Sequence, residues 1–441
     1  MIFGKGKKKR PSRNDDDEDE DEGHEDDDDL DFILFKGAQN GKNPDLGSYG
    51  KLVQAGLIPA KRVISEALAR RAEMLRIEPK GKFAAVTFYV DGIPFPATKM
   101  PPKPANAIVQ MLKLLAGLDP ADRKSVQAGG INAEFEDVPH DVRIDIEPAE
   151  GGMEKLTLRA ENISQRPETP RELGFSEDLQ NSIRTIGTTK KGLMLAVGPP
   201  MSGVTTTSIA MLRGNDAYLL AVGTIGDMRG RDLPHVQVLD WNPGDNLATT
   251  IKRTKRSDID ILFVDPISSR EIGKAILDAC REQCLISEMP AKDAADGIAR
   301  LNALIGDPEL VASHLKLIVS PRLVRRLCHK CRQAYRPNPK LLAKVNLPPD
   351  TKVLYRAPRA DDEDDDLCEA CGGIGFRGRI GLIEAIEIDQ QYKDLILKNA
   401  STADFRQLAR KHSVQSFQKD GLRLVVEGKT SLEELQRAFR T

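Results

Sequence analysis

Aromatic side chains are scarce in this sequence: Phe, Tyr and Trp together make 5% of its 441 residues. The basic residues are scattered and not interleaved with stacking rings, which argues against a surface that recognises nucleic acid specifically. No stretch approaches the roughly 18 consecutive apolar residues that a membrane-spanning helix needs. Residues 1–10 (MIFGKGKKKR) have a basic start without the apolar segment of a secretory signal. Both absences predict a cytoplasmic chain. Six cysteines are too few for a disulfide scaffold, and four of them form two CxxC pairs, which in a reduced compartment reads as metal binding.

What is present describes a globular chain with room for roughly three domains of ~150 residues, with 40% apolar and 30% charged side chains. The formal net charge of −2 conceals an uneven distribution. Residues 1–32 carry six basic and fourteen acidic groups, a net −8, and the acid run at 361–366 (DDEDDD) carries −6, which leaves +12 on the rest. The overall balance therefore says little about partners. The acidic stretch 15–29 repels itself and has nothing apolar to bury, so residues 1–35 are expected to form a disordered basic-acidic tail. Such a tail either aids solubility or serves as a partner-binding arm that could fold back on the basic body. The apolar cluster Phe32-Ile33-Leu34-Phe35 either anchors to a partner or begins the fold.

Residues 36–160 read as a mixed α/β domain. A helix is predicted over 59–71, where Val63, Ile64, Ala67 and Leu68 share one side. The run 84–90 (AAVTFYV) reads as a strand, and Asp91-Gly92 as the turn into another at Ile93. A further helix is expected over 105–118 and strands near 142–146 and 155–158, followed by a linker at 161–175 rich in turn residues. From 176 to 441 the character changes. Apolar runs at 192–197 (GLMLAV), 260–264 (DILFV) and 284–286 alternate with helical stretches such as 270–281, which predicts a parallel sheet covered on both faces. After Pro321 the text is cysteine-punctuated and irregular, and from Ser401 helical again, with 430–433 (TSLE) as a capping box for the last helix.

A strand, a loop with glycine at both ends and a helix that begins with threonines is the layout of a phosphate-binding loop, which points backbone N–H groups and a helix N-terminus at one place. The template G-x-x-x-x-G-K-[ST] is met at Gly198, Gly203 and Thr205 and broken at Val204, where it has a lysine. Gly198, Ser202, Gly203, Thr205 and Thr206 are the candidate nucleotide-binding residues, with weak ATP/Mg²⁺ binding as the most this loop supports; the alternative is a tight strand-to-helix turn that holds no ligand.

The pairs Cys328/Cys331 and Cys368/Cys371 are separated by 36 residues. Each CxxC turn aims two thiolates at one point, and two turns complete tetrahedral coordination of a structural zinc ion with no open position; the alternative is reduced, unligated thiols or a redox pair. His329 is expected at the surface, and Cys280 and Cys284 as small buried residues of the sheet layer.

From residue 72 onward the chain resembles the hexameric assembly ATPases of type II secretion and type IV pilus systems, the secretion-system E family. The resemblance rests on 72–79 (AEMLRIEP), Val90-Asp91-Gly92, the loop 198–207, 322–328 (RLVRRLC), 371–381 (CGGIGFRGRIG) and 420–435 (DGLRLVVEGKTSLEEL), all in order. It implies an α/β architecture: a RecA-like P-loop domain at 176–441, preceded by the smaller mixed α/β domain, containing a Cys₄ zinc subdomain at 322–380 and ending in a helical part at 385–441. It also implies a cytoplasmic oligomer, peripheral at the inner membrane, working with platform proteins of a secretion or pilus system.

Matched residue by residue, the chemistry of that family is largely missing. Its loop lysine falls on Val204; the glutamate of its acidic box falls on Gly226, beside Asp227. Its catalytic glutamate falls on Pro266, one residue after Asp265, and its histidine on Pro290. Its arginines before Asp-Gly fall on Thr87 and Tyr89, whereas Arg143 and Arg159 match. A positioned general base contributes roughly 10²–10⁴ in rate, and charge-stabilising groups in phosphoryl transfer contribute comparable factors. The resemblance therefore implies a catalytically degenerate member, a scaffold or regulatory subunit beside an active paralogue. The alternatives are an active motor with a rearranged site, using Asp227 and Asp265, and a nucleic-acid-binding protein.

Overall fold

The computed structural model describes residues 31–42, 44–225, 233–239, 246–254, 258–264, 266–359 and 367–440. The acidic stretch 15–29, the run 361–366, and Gly226, Asp227 and Asp265 lie outside them.

The first part is built from β1 (Leu34–Ala38), α1 (Gly50–Ala69), β2 (Met74–Lys80), β3 (Phe83–Val90), β4 (Ile93–Met100), α2 (Pro102–Leu115), β5 (Gln127–Phe135), β6 (Val138–Pro148) and β7 (Glu154–Asn162). The strands form one antiparallel sheet in the order β1-β5-β6-β7-β2-β3-β4. Along β3 every second residue is buried, Ala84 to Val90, as expected where one sheet face is packed. Those residues share a core with Ile64 of α1 and Leu112 of α2. Asp91 and Gly92 both adopt positive φ, 53° and 81°, the tight turn their identities predict.

Two expectations change here. Helix α1 begins at Gly50, nine residues before Pro59, which lies inside it. Leu52, Val53 and Leu57 extend its apolar side onto the core. Ala55, whose carbonyl receives no N–H from Pro59, is exposed, so water can satisfy it. The cluster at residues 32–35 begins the fold: Ile33 is buried and its N–H donates to Ser65 Oγ at 2.8 Å.

The second part contains α3 (Glu177–Thr189), β8 (Gly192–Gly198), α4 (Val204–Arg213), β9 (Val222–Ile225), β10 (Val236–Val238), α5 (Leu247–Thr254), β11 (Ile261–Val264), α6 (Arg270–Ala279), β12 (Cys284–Pro290), α7 (Ala294–Ile305), α8 (Pro308–His314) and β13 (Leu315–Leu327). It continues with β14 (Gln333–Tyr335), α9 (Pro339–Val345), β15 (Leu354–Arg356), β16 (Phe376–Glu387), α10 (Gln390–Leu397), α11 (Thr402–His412), α12 (Phe417–Val426) and α13 (Leu432–Arg440). The sheet order is β10-β9-β11-β12-β8-β13-β16, parallel except for β16, which runs antiparallel to β13. Both faces are covered. Leu193, Leu195 and Val197 of β8 pack with α6 and α7, while Met194 and Ala196 pack with α3 and α4.

The residues after Pro321 are more regular than expected, because β13 continues to Leu327. Its pairing with β8 stops at Val319, so Pro321, which has no N–H to give, faces a strand only on the β16 side. The cap of α13 also shifts by one residue. Ser431, not Thr430, accepts from the Glu434 N–H at 3.2 Å, and the Thr430 hydroxyl donates instead to the Arg325 carbonyl at 2.9 Å.

Candidate functional site

Strand β8 is buried throughout and delivers the chain to a bend at residues 199–203 from which α4 departs. Gly203 opens the helix at φ 96°, a conformation glycine adopts without steric cost. A Cβ at Gly198 would collide with Ser202 Oγ and lie 2.9 Å from Val204 Cγ2, so those two side chains line the Gly198 side of the bend. Ser202 is 6% exposed, and its hydroxyl has no hydrogen-bond partner among the described residues. The leading N–H groups of α4 have no intrahelical acceptor and face the same place. The structure thus brings Gly198, Ser202, Gly203 and Thr205 together around one bend; Thr206 stands half-buried on the same helical turn.

Thr205 does not present an unengaged hydroxyl. It donates to Glu288 Oε2 at 3.1 Å, and Ser208 donates to Glu288 Oε1 at 2.5 Å. Glu288 is 6% exposed and lies on β12 opposite Ala196 of β8, which carries its side chain to the α4 face. Sequence reading passed over this residue. The available signal was a lone carboxylate at the end of an otherwise apolar or neutral strand, where burial requires partners. Pro290 ends the same strand opposite Gly198, and both Pro290 and Pro266 are exposed.

The second constellation joins β13 to β16. The Sγ atoms of Cys328, Cys331, Cys368 and Cys371 all lie within 4.8 Å of one another. Cys328 and Cys368 are 4.0 Å apart and Cys331 and Cys371 3.6 Å apart, and none is in a disulfide. A tetrahedral site with metal–sulfur bonds of ~2.3 Å has edges of about 3.8 Å, so the donor set fits a closed four-thiolate centre. Arg332 N–H to the Cys328 carbonyl at 2.9 Å and Gly372 N–H to the Cys368 carbonyl at 2.7 Å form the two turns. Burial opposes ionisation of Cys368, but the N–H groups of Cys371 and Ala370 together with hydrogen bonds from the Cys371 and Cys331 thiols outweigh it and bring that thiol down to about 7. His329 is exposed. Cys280 and Cys284 are both buried as expected, but only Cys284 opens a strand, β12, whereas Cys280 caps the C-terminus of α6; burial pushes the Cys284 thiol up to about 12.

The cysteine cluster also touches the first sheet's domain. Arg71, just after α1, donates to the Cys371 carbonyl at 3.2 Å, Ile374 packs against the first core, and Arg379 pairs with Glu73 at 3.6 Å. Glu73 in turn accepts from the N–H groups of Asp91 and Gly92 at 2.9 and 2.6 Å.

Comparison with known proteins agrees with this layout. The chain is 27% identical over 382 residues to the type IV pilus assembly ATPase PilB of Thermus thermophilus, covering 85% of this chain and 42% of that protein. It is 26% identical over 381 residues to the type II secretion system protein E of Xanthomonas campestris, covering 85% of this chain and 66% of that one. The chain thus spans less than half of the first of these relatives and about two thirds of the second. Among solved structures, the Legionella pneumophila ATPase DotB superposes with a TM-score of 0.53 at 14% identity, over 86% of this chain and 94% of that one. The pilus retraction motor PilT with bound ADP superposes with a TM-score of 0.51 at 18% identity, over 85% of this chain and 95% of that one. These likenesses show a shared fold. The family model described as Type II/IV secretion system protein matches residues 53–437, and the chain belongs to that family.

Proposed function

We propose that this chain is a member of the family that does not hydrolyse ATP and acts as a scaffold or regulatory subunit beside an active paralogue. One observation carries the reading: α4 opens with Val204, so the bend that would cradle phosphates offers N–H groups and hydroxyls but no lysine. Pro266 and Pro290, where the resemblance places a catalytic glutamate and a histidine, point the same way, since neither ring can move a proton. Losing a base and a phosphate-binding cation together removes most of the rate such a site supplies, even though the separate effects do not add. On this reading the nucleotide, where bound at all, is held weakly by Gly198, Ser202, Gly203, Thr205 and Thr206. Residues 36–160 form the N-terminal domain, 161–175 the linker, and 176–441 the ATPase-type domain. The four cysteines hold a structural Zn²⁺, and the chain works in the cytoplasm, in a hexamer or mixed ring at a membrane platform.

The active-motor reading has one observation in its favour, the Glu288 carboxylate beside Thr205. A steady-state phosphate-release assay on the purified full chain separates the two. Rates at background with Mg²⁺ present are expected; turnover that needs Mg²⁺ and disappears in Thr205→Ala would overturn the proposal in favour of the motor.

A further inference from the structure

We propose that Glu288 makes the loop at residues 198–203 selective for phosphate that carries a divalent cation, a proposal that rests on the loop still taking a phosphate-bearing ligand. The carboxylate is 6% exposed, and its side-chain partners among the described residues are two hydroxyls, with no Lys or Arg ion pair. Among the described residues its two carboxylate oxygens accept only from the Thr205 and Ser208 hydroxyls, so hydrogen bonds and no basic side chain hold it. A phosphate drawn to the leading N–H groups of α4 arrives beside that charge. With Val204 at the start of the helix, the loop supplies no cation to screen one anion from the other. Repulsion of this kind is strong where water is excluded.

A divalent cation reverses the sign. Hard cations of the magnesium type take oxygen ligands, often one or two carboxylates together with phosphate oxygens. The Thr205 hydroxyl donates its hydrogen bond to Glu288 and so keeps its oxygen lone pairs for such an ion. The buried, unpartnered Ser202 hydroxyl inside the bend remains available to donate to a phosphate oxygen. Glu288 thereby acts as a specificity residue: it penalises bare polyphosphate and favours its metal complex. It comes from β12, a strand on which the resemblance places no acidic group.

The test uses the full chain in metal-depleted buffer without chelator, so that the cysteine centre is left undisturbed, with a fluorescent ATP analogue as probe. Wild type is expected to bind the analogue at least tenfold more tightly with Mg²⁺ than without. Glu288→Gln, which preserves size and one acceptor oxygen, is expected to bind more tightly without Mg²⁺ than wild type and to lose most of that ratio. If the Gln variant does not fold, Glu288→Asp, which draws the carboxylate back from Thr205, is expected to lower the ratio. An unchanged ratio in the variant, or equal binding by wild type with and without Mg²⁺, overturns the proposal. Binding by Val204→Lys alone, with wild type and Glu288→Gln silent under every condition, also overturns it but leaves the non-hydrolysing reading standing. Mg²⁺-dependent turnover by wild type sinks that reading while the ratio still decides the role of Glu288.

Discussion

Glu384 shows how one buried group ties this fold to pH. It lies on β16 opposite Ser320 of β13 and accepts the N–H of Ala294, the first residue of α7, at 3.1 Å. Burial pushes its carboxyl up from 4.5 to about 7; the Ala294 N–H opposes that, Asp293 adds to it, and Arg322 and Arg406 work against it. The folded chain therefore keeps a proton there that the unfolded chain releases at lower pH. That contribution to stability is fully present below about pH 4.5 and is lost as pH rises through about 7. Glu384→Gln is expected to flatten the fall in thermal midpoint between pH 5 and 8; a parallel fall in wild type and variant would exclude this origin. The cysteines were legible at this scale because a CxxC pair carries its geometry in its spacing. Glu288 was not, because its partners Thr205 and Ser208 stand 83 and 80 positions away and meet it only through strand register.

Among elements, β13 packs with β8, β16 and α13 and also with α3, α4 and α7. Its first half pairs with β8, its whole length with β16, and near its end it meets α13. That last contact depends on Glu434, whose side chain is fully buried and accepts from Arg325 N–H, Nε and Nη2 at 2.9, 3.0 and 2.8 Å. Arg437 of the same helix donates to the same carboxylate at 2.8 and 2.6 Å. Removing one partner of a buried pair leaves the other charge uncompensated and costs about 3 kcal/mol. Glu434→Ala is therefore expected to lower the free energy of unfolding by roughly that amount, and Glu434→Gln by less, as measured by urea titration. Apolar periodicity made β8, β11, β12 and α6 readable. It failed at α1 and β13 because both contain a proline, Pro59 and Pro321, that propensity treats as a boundary. Each proline is tolerated where its missing N–H faces no obligatory partner.

Across the whole molecule, contacts at the cysteine cluster join the second part to the first. Arg71, Ile374 and the Arg379–Glu73 pair connect the turns of the cluster to the first domain, and Glu73 carries the contact to the Asp91-Gly92 turn between β3 and β4. The Cys371 carbonyl that accepts from Arg71 belongs to a turn held by backbone hydrogen bonds such as Gly372 N–H to the Cys368 carbonyl, and its thiol converges with the other three cysteines. A closed metal centre stabilises the folded state directly, since its ligands are not preassembled in the unfolded chain. With zinc as the proposed metal, its removal, or Cys331→Ser, is expected to lose one equivalent of zinc and lower the thermal midpoint. It is also expected to raise hydrogen exchange at two places: residues 328–332 and 368–376, and the distant turn at residues 90–93. Exchange that rises only around the cysteines would mean that the domains hold each other without the metal. A rise at the 90–93 turn, matched in Glu73→Gln with the metal retained, would place the coupling in that carboxylate.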